Sequence, residues 1–168
     1  MIVALRKAAA TQDVAVDVLI EAGEWPARAK LRSLAERAIG AATDRACPDL
    51  EPGAEVSLLF TDDFHMRGLN LRYRGKDKPT NVLSLPAAPL LVGRLGPLLG
   101  DIVLAAETVR GEAKAQGLAA NDHLTHLIVH GFLHLIGYDH EDDSEALVME
   151  GLETTILGDL GIADPYAA

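Results

Sequence analysis

The chain has 168 residues, 49% of them hydrophobic and 24% charged, with a formal net charge of −10. Length and composition predict one soluble globular domain, with residues 1–12 as a loosely ordered extension. The acidity argues against a general nucleic-acid binder. No apolar run reaches the roughly 20 residues of a membrane helix, so we expect a cytoplasmic protein with no membrane partner. The single cysteine, Cys47, rules out an internal disulfide and is expected to be buried or half-buried.

Segments rich in β-branched or apolar residues predict strands at 14–20, 55–60, 80–85 and 101–105. Apolar residues at helical spacing, bounded by capping residues, glycine or proline, predict about five helices. These lie between Pro26 and Pro48, at 64–71 behind a capping segment at 61–63, at 107–116, from Asn121 or Asp122 onwards, and at about 143–157. The Pro- and Gly-rich segment 86–100 predicts a loop, a candidate rim or lid.

The strands and helices do not strictly alternate along the chain. This order favours an α+β fold, in which a small mixed four-stranded sheet is packed with about five helices.

The run from His130 to His140 holds three of the six histidines. His130 and His134 are four residues apart and therefore share one face of a helix. Gly137 breaks that helix and lets the chain fold back, which brings His140 towards the other two. Three imidazoles in this arrangement leave one position open on a tetrahedral zinc, as in a catalytic site. Nickel and copper also suit three imidazoles, so the residue types do not fix the metal.

A competing ligand set would consist of His126, His130 and His134, which follow one another at steps of four. The outer two would lie about 12 Å apart along a straight helix, too far to reach one ion. We therefore favour His130, His134 and His140, which places the metal site on a central helix and the turn that follows it. His126 is expected to pack in the helix, or at most to hydrogen-bond to a metal-binding group.

Gly131 stands where zinc peptidases of the His-Glu-x-x-His type carry their general base. A peptidase with this helix would lack its base. Phosphodiesters are one substrate class for which a metal, a water and a cation suffice. Asp139, beside His140, has a functional interpretation, in which it orients that histidine or acts on water. The alternative is that it is only a turn residue after Gly137, and both interpretations stay open.

Residues 67–78 form a basic segment in this acidic chain. Five cations against one acid give it a charge of +4, so the rest of the chain carries −14. A charge run is often only a solvated face, and the alternative is a patch that faces phosphate. The basic residues are Arg67, Arg72, Arg74, Lys76 and Lys78.

With the histidine run and the segment 69–86 (LNLRYRGKDKPTNVLSLP) both in view, the chain resembles the YbeY family, bacterial endoribonucleases also described as rRNA maturation factors. The resemblance extends from about Val14 to Tyr166. The histidine run matches the family pattern His-Gly-x-Leu-His-Leu-x-Gly-Tyr-Asp-His at every fixed position. One departure is Leu85, where the family usually has Phe, and this is expected to alter packing and not chemistry.

The resemblance implies one zinc per chain, bound by His130, His134 and His140. It also implies hydrolysis of single-stranded RNA in 3′-end maturation of 16S rRNA and in ribosome quality control, with the ribosome or a ribosomal protein as partner. An alternative is a ribosome-assembly or adaptor factor, in which the zinc is mainly structural and nuclease activity is weak.

The resemblance maps the family's functional arginine onto Arg74, inside the basic segment. An arginine beside a metal suits a phosphodiester, because its fork binds two phosphate oxygens and stabilises the charge that grows at the transition state. Arg72, Lys76 and Lys78 are expected to hold the RNA backbone without reading bases.

Overall fold

The computed structural model describes residues 13–87 and 93–167. The predicted extension at 1–12 and the middle of the predicted loop at 86–100 lie outside the described residues. The described residues form four strands: β1 (Ala15–Ile20), β2 (Glu55–Thr61), β3 (Val82–Pro86) and β4 (Leu98–Ala105). They also form five helices: α1 (Arg28–Ala46), α2 (Asp63–Arg74), α3 (Ala106–Gln116), α4 (Ala120–Leu135) and α5 (Asp143–Asp159). This architecture confirms the predicted α+β class.

The sheet is mixed and has the strand order β1-β2-β4-β3. β1, β2 and β4 are parallel, whereas β3 runs antiparallel to β4 at one edge. Asn81 precedes β3, and its Oδ1 accepts a hydrogen bond from the Val82 amide at 2.6 Å. Its Nδ2 donates to the Glu112 carboxylate of α3 at 3.0 Å.

β4 begins earlier than the sequence indicated. Leu98 and Gly100 were expected in a loop, but both pair with β2. Gly100 has a φ of 135° and packs so closely against β3 that a Cβ would overlap the carbonyl oxygen of Leu85. A glycine that normally signals a turn serves here to let two strands approach each other.

α4 lies at the centre of the main core. Its buried residues, such as Ile128 and Phe132, pack in one cluster with side chains of the sheet, α1 and α5. Burial of a large apolar side chain contributes about 1.5–3 kcal/mol, so a helix buried on most of its surface is a rigid platform. On the other side of the sheet, Met66 of α2 forms a smaller cluster with Leu83 and Val103.

Asp62 caps α2 as expected, since its carboxylate accepts the His65 amide at 2.9 Å. α4, however, begins at Ala120 with Ala119 at the cap position and no side-chain cap. The prediction of a cap at Asn121 or Asp122 was therefore wrong, because the helix has already begun at Ala120 and both residues lie in its exposed first turn.

α1 ends at Ala46, within the predicted limits of Pro26 and Pro48. Cys47 follows in a left-handed conformation (φ 46°) and is exposed, which corrects the expectation that it is buried. In residues 13–87 and 93–167, no helix combines the length and the apolar character required to cross a bilayer.

Candidate metal centre

The structure brings together the three histidines that the sequence singled out. His130 and His134 project from the last turns of α4, and the chain then reverses at Gly137, whose φ is 107°. This reversal brings the His140 ring back beside the rings of His130 and His134. One ring nitrogen from each of the three lies within 4.8 Å of the others. His126 is not part of this group.

Hydrogen bonds fix the tautomers of His130 and His134, the two members of this group that lie on α4. The Nδ1 of His134 lies 2.9 Å from the carbonyl oxygen of Tyr138, which can only accept, so this nitrogen carries the proton. The Nδ1 of His130 donates in the same way to Glu153 Oε1 at 2.5 Å. Both Nε2 atoms are therefore left with lone pairs, and they lie 3.1 Å apart.

Two facing lone pairs at this distance require a proton or a cation between them. Two ligands of a tetrahedral zinc, at about 2.05 Å from the ion, would be about 3.3 Å apart. Burial, followed by the charges of His130 and His140, lowers the pKa of His134, which favours the neutral form that binds metals. The residues present therefore fit a zinc ion.

Glu153 of α5 lies directly behind the histidines, and the sequence analysis missed it. Its side chain is fully buried and contacts His130, the Nε2 of His126 at 2.8 Å and the hydroxyl of Tyr166. A signal was available, since Glu153 shares one helical face with buried Met149, Ile156 and Leu157. A charged residue on an apolar stripe is buried only when it is paired.

Burial alone would raise the pKa of Glu153. The hydrogen bonds from His126 and His130, the attraction of His130 and the bond from Tyr166 outweigh it and lower the pKa to about 2. Burial and the neighbouring carboxylate raise the pKa of the Tyr166 hydroxyl above its ordinary value, so this group stays a donor. Glu153 is therefore a buried anion surrounded by donors.

Arg74 lines the same cleft as the three histidines. It lies in the last turn of α2, which ends at Gly75 in a left-handed conformation. The cleft has a volume of about 640 Å³, and its opposite wall is formed by residues 80–86 of β3 and the segment before it. In the part of the chain that the structure describes, no carboxylate lies within ion-pair distance of Arg74, whereas Arg67 binds Asp77 at 2.7 Å.

The other basic residues do not converge on the cleft. Arg72 lines a different groove, beside Phe64, and its guanidinium carbon lies 5.3 Å from the centre of the Tyr73 ring. Lys76 and Lys78 are exposed in the turn after α2 and are not among the residues that line the cleft. The basic segment is thus divided, and only Arg74 of its cations faces the histidines.

Asp139 and His126 both lie near the histidines without joining them. The Asp139 carboxylate lines the cleft and accepts the backbone amide of His140 at 2.8 Å, an interaction of a turn residue. His126 reaches the centre only through Glu153. His123 is buried and binds Glu112 at 2.8 Å instead.

Gly131 lies where α4 packs against the sheet. A Cβ at this position would be 2.9 Å from Ile102 Cγ2 and 3.1 Å from Ser84 Oγ. Ser84 also donates to the carbonyl oxygen of Gly131 at 2.9 Å. The packing therefore leaves no room for a glutamate here, so the absence of the peptidase base is built into the contact between helix and sheet.

Replacing Gly131 with alanine should destabilise the protein by about 1–3 kcal/mol, although alanine is the better helix former. The extra methyl group would force Ile102 and Ser84 to move. Urea unfolding followed by circular dichroism would measure the change. Gly151→Ala on α5 is the matched control, since a Cβ there meets no atom within 4 Å. Equal stability of the two variants would contradict the packing argument.

The sequence comparisons agree on one group of proteins. The family model described as Endoribonuclease YbeY matches residues 20–161. The chain is 53% identical over 157 residues to the Endoribonuclease YbeY of Rhizobium meliloti, covering 90% of this chain and 94% of that protein. It is 54% identical over 153 residues to the protein of the same name from a Chelativorans species, covering 90% and 93%.

A solved structure supports the fold independently. The solution structure of TM1509 from Thermotoga maritima superimposes with a TM-score of 0.54 and covers 91% of this chain and 99% of that one. Its sequence identity is 21%, so the likeness concerns the fold alone.

Proposed function

This chain belongs to the YbeY family of endoribonucleases, and from that premise we propose that it is a zinc-dependent endoribonuclease acting on single-stranded RNA. One observation carries the proposal: Arg74 and the three histidines line a single cleft, although they lie far apart in the sequence. A group that binds phosphate therefore faces a group that can hold a metal.

His130, His134 and His140 would hold the zinc through one ring nitrogen each. A bound zinc would supply a Lewis acid that polarises a phosphate oxygen and makes water a better nucleophile. Glu153 and the Tyr138 carbonyl occupy the Nδ1 atoms of His130 and His134, so these rings serve as ligands and not as proton carriers.

Arg74 binds the non-bridging oxygens of the scissile phosphate. Its guanidinium offers two parallel N–H donors and stabilises the negative charge that builds up on these oxygens. Lys76 and Lys78, exposed beside it, attract the RNA backbone without selecting bases. The rest of the chain is acidic, which confines RNA binding to this side of the protein.

We further propose that the substrate is ribosomal RNA, that the enzyme processes the 3′ end of 16S rRNA in the cytoplasm and that a ribosomal protein is a partner. The likeness to the YbeY endoribonucleases over 90% of the chain supports this. An adaptor role would be favoured instead if Arg74→Ala restored rRNA processing in cells that lack the protein while the purified protein cut no RNA.

Arg74→Ala should reduce kcat/KM on single-stranded RNA by about 10²–10³-fold, the usual effect of removing a preorganised donor to a developing charge. Zinc content should not change. Cleavage of a fluorescent oligonucleotide, with metal analysis of the same samples, would measure both quantities.

The matched control is Arg72→Ala, which removes the same charge from the same helix but outside the cleft. We expect kcat/KM of this variant on single-stranded RNA to fall by less than about tenfold, the effect of one phosphate contact or less. If Arg72→Ala were as damaging as Arg74→Ala, the total charge of the segment, and not the position of Arg74, would determine activity.

A further inference from the structure

We propose that Glu153 is a positioning residue of the metal centre, which fixes the orientation and tautomer of His130 and is itself held by Tyr166 from the C-terminal segment. The inference rests on the proposed metal site and adds two residues from outside the histidine run to it. Tyr166 thereby makes the end of the described chain part of that centre.

Glu153 accepts hydrogen bonds from three donors. One carboxylate oxygen accepts His130 Nδ1 at 2.5 Å, and the other accepts His126 Nε2 at 2.8 Å together with the Tyr166 hydroxyl. The side chain has no exposed surface. Three donors therefore meet one buried anion, and loss of any of them removes a hydrogen bond from that charge.

The bond to His130 decides which ring nitrogen faces the other histidines. With Nδ1–H held by the carboxylate, Nε2 presents its lone pair 3.1 Å from the Nε2 of His134. In the other tautomer a proton would point into the ligand set and block it. His134 is fixed by the Tyr138 carbonyl instead, so Glu153 controls His130 selectively.

Tyr166 holds the carboxylate from the far side. Its ring packs edge-on against His126, with centroids 5.6 Å apart and an interplanar angle of 87°. The segment after α5 is folded back by Asp164, which accepts the Tyr166 amide at 2.8 Å and the Thr154 hydroxyl at 3.1 Å. The C-terminal turn is therefore anchored to α5 and delivers one hydroxyl to Glu153.

A purely structural role predicts a different outcome for substitutions. Replacing Glu153 with Gln keeps size and burial, but its amide group can donate to His130 Nδ1 and so favour the wrong tautomer. Loss of such a supporting group typically lowers metal affinity by about 10–100-fold. Loss of packing alone would lower stability and leave the affinity of the folded protein unchanged.

The test uses the full-length chain, stripped of metal and titrated with zinc in competition with a chelator. We expect Glu153→Gln to bind zinc about 10–100-fold more weakly and Tyr166→Phe several-fold more weakly. Asp159→Asn is the matched control, because it removes a carboxylate of α5 that pairs with Arg45 instead. Affinity of Glu153→Gln equal to that of this control would overturn the proposal.

Nitrogen-15 NMR of the metal-free protein gives a readout independent of zinc and of RNA. His130 should show the Nδ1–H tautomer in the parent chain and a shift towards Nε2–H in Glu153→Gln. If Glu153→Gln does not fold, the zinc affinity of Tyr166→Phe and the spectrum of the parent protein still test the proposal. An Nε2–H tautomer of His130 in the parent protein would refute the positioning role of Glu153. If Glu153→Gln changes the His130 tautomer and the zinc affinity as expected but the parent protein cleaves no RNA, the nuclease proposal is wrong and the proposal for Glu153 still holds.

Discussion

His140→Ala is expected to abolish stoichiometric zinc binding and to lower RNA cleavage by at least about 10³-fold. Loss of one electrostatic donor typically costs about 10²–10³-fold, and here the metal is lost together with the ligand. His140 follows the glycine turn, and its ring centroid lies 4.9 Å from that of His134 and 5.6 Å from that of His130. Metal analysis of protein purified without nickel resin, together with the oligonucleotide assay, measures both effects.

His126→Ala is the informative comparison, because it separates the two ligand sets that the sequence allowed. His126 contacts Glu153 and not the ligand nitrogens, so this variant should retain zinc with reduced affinity. Loss of zinc in His126→Ala with retention in His140→Ala would reverse the assignment.

The second large effect is expected at Gly100. Gly100→Ala should destabilise the protein by more than about 4 kcal/mol, the range of severe steric conflicts. Its φ of 135° is unsuitable for alanine, and the new Cβ would overlap the Leu85 carbonyl oxygen and come within 2.9 Å of Pro86 Cα. β3 would have to move away from β4, and the wall of the cleft would move with it. Urea unfolding monitored by circular dichroism measures the loss.

Gly111→Ala serves as the control for the glycine-to-alanine change. Gly111 lies in α3, and a Cβ there meets no atom within 4 Å. This variant should be as stable as the parent or more stable by up to about 1 kcal/mol, since alanine is the better helix former. If Gly100→Ala and Gly111→Ala had similar free energies of unfolding, Gly100 would not be constrained by β3.

The α+β class and the grouping of the three histidines could be predicted because their signals are local. A spacing of four places His130 and His134 on one helical face, and Gly137 lets the chain return within a few residues. The metal-binding role of these histidines stays a prediction. Arg74 could not be placed beside them from spacing, because its position depends on how α2 packs against the sheet, and only the family resemblance indicated it.

Other features were missed because tertiary contacts override local signals. Glu153 was not singled out from the sequence, because its burial depends on three donors that the fold brings together. Gly100 suggested a turn, whereas it permits a close approach of two strands.

Among the described residues, β3 pairs with no strand on its outer side, and this has a consequence for what can lie along the cleft. The Ala105 amide donates to the Asn81 carbonyl oxygen, and the Ala87 amide donates to the Leu99 carbonyl oxygen. The alternation of an antiparallel pair therefore directs the backbone groups of residues 82, 84 and 86 outwards. The Val82 amide is already bound by the Asn81 side chain, and Pro86 has no amide hydrogen. Ser84 alone of these three can donate, which makes the strand a poor template for adding a peptide strand or a second copy of itself. Its outward carbonyl oxygens instead suit a ligand that brings its own donors, as the amino groups of unpaired bases and ribose hydroxyls do.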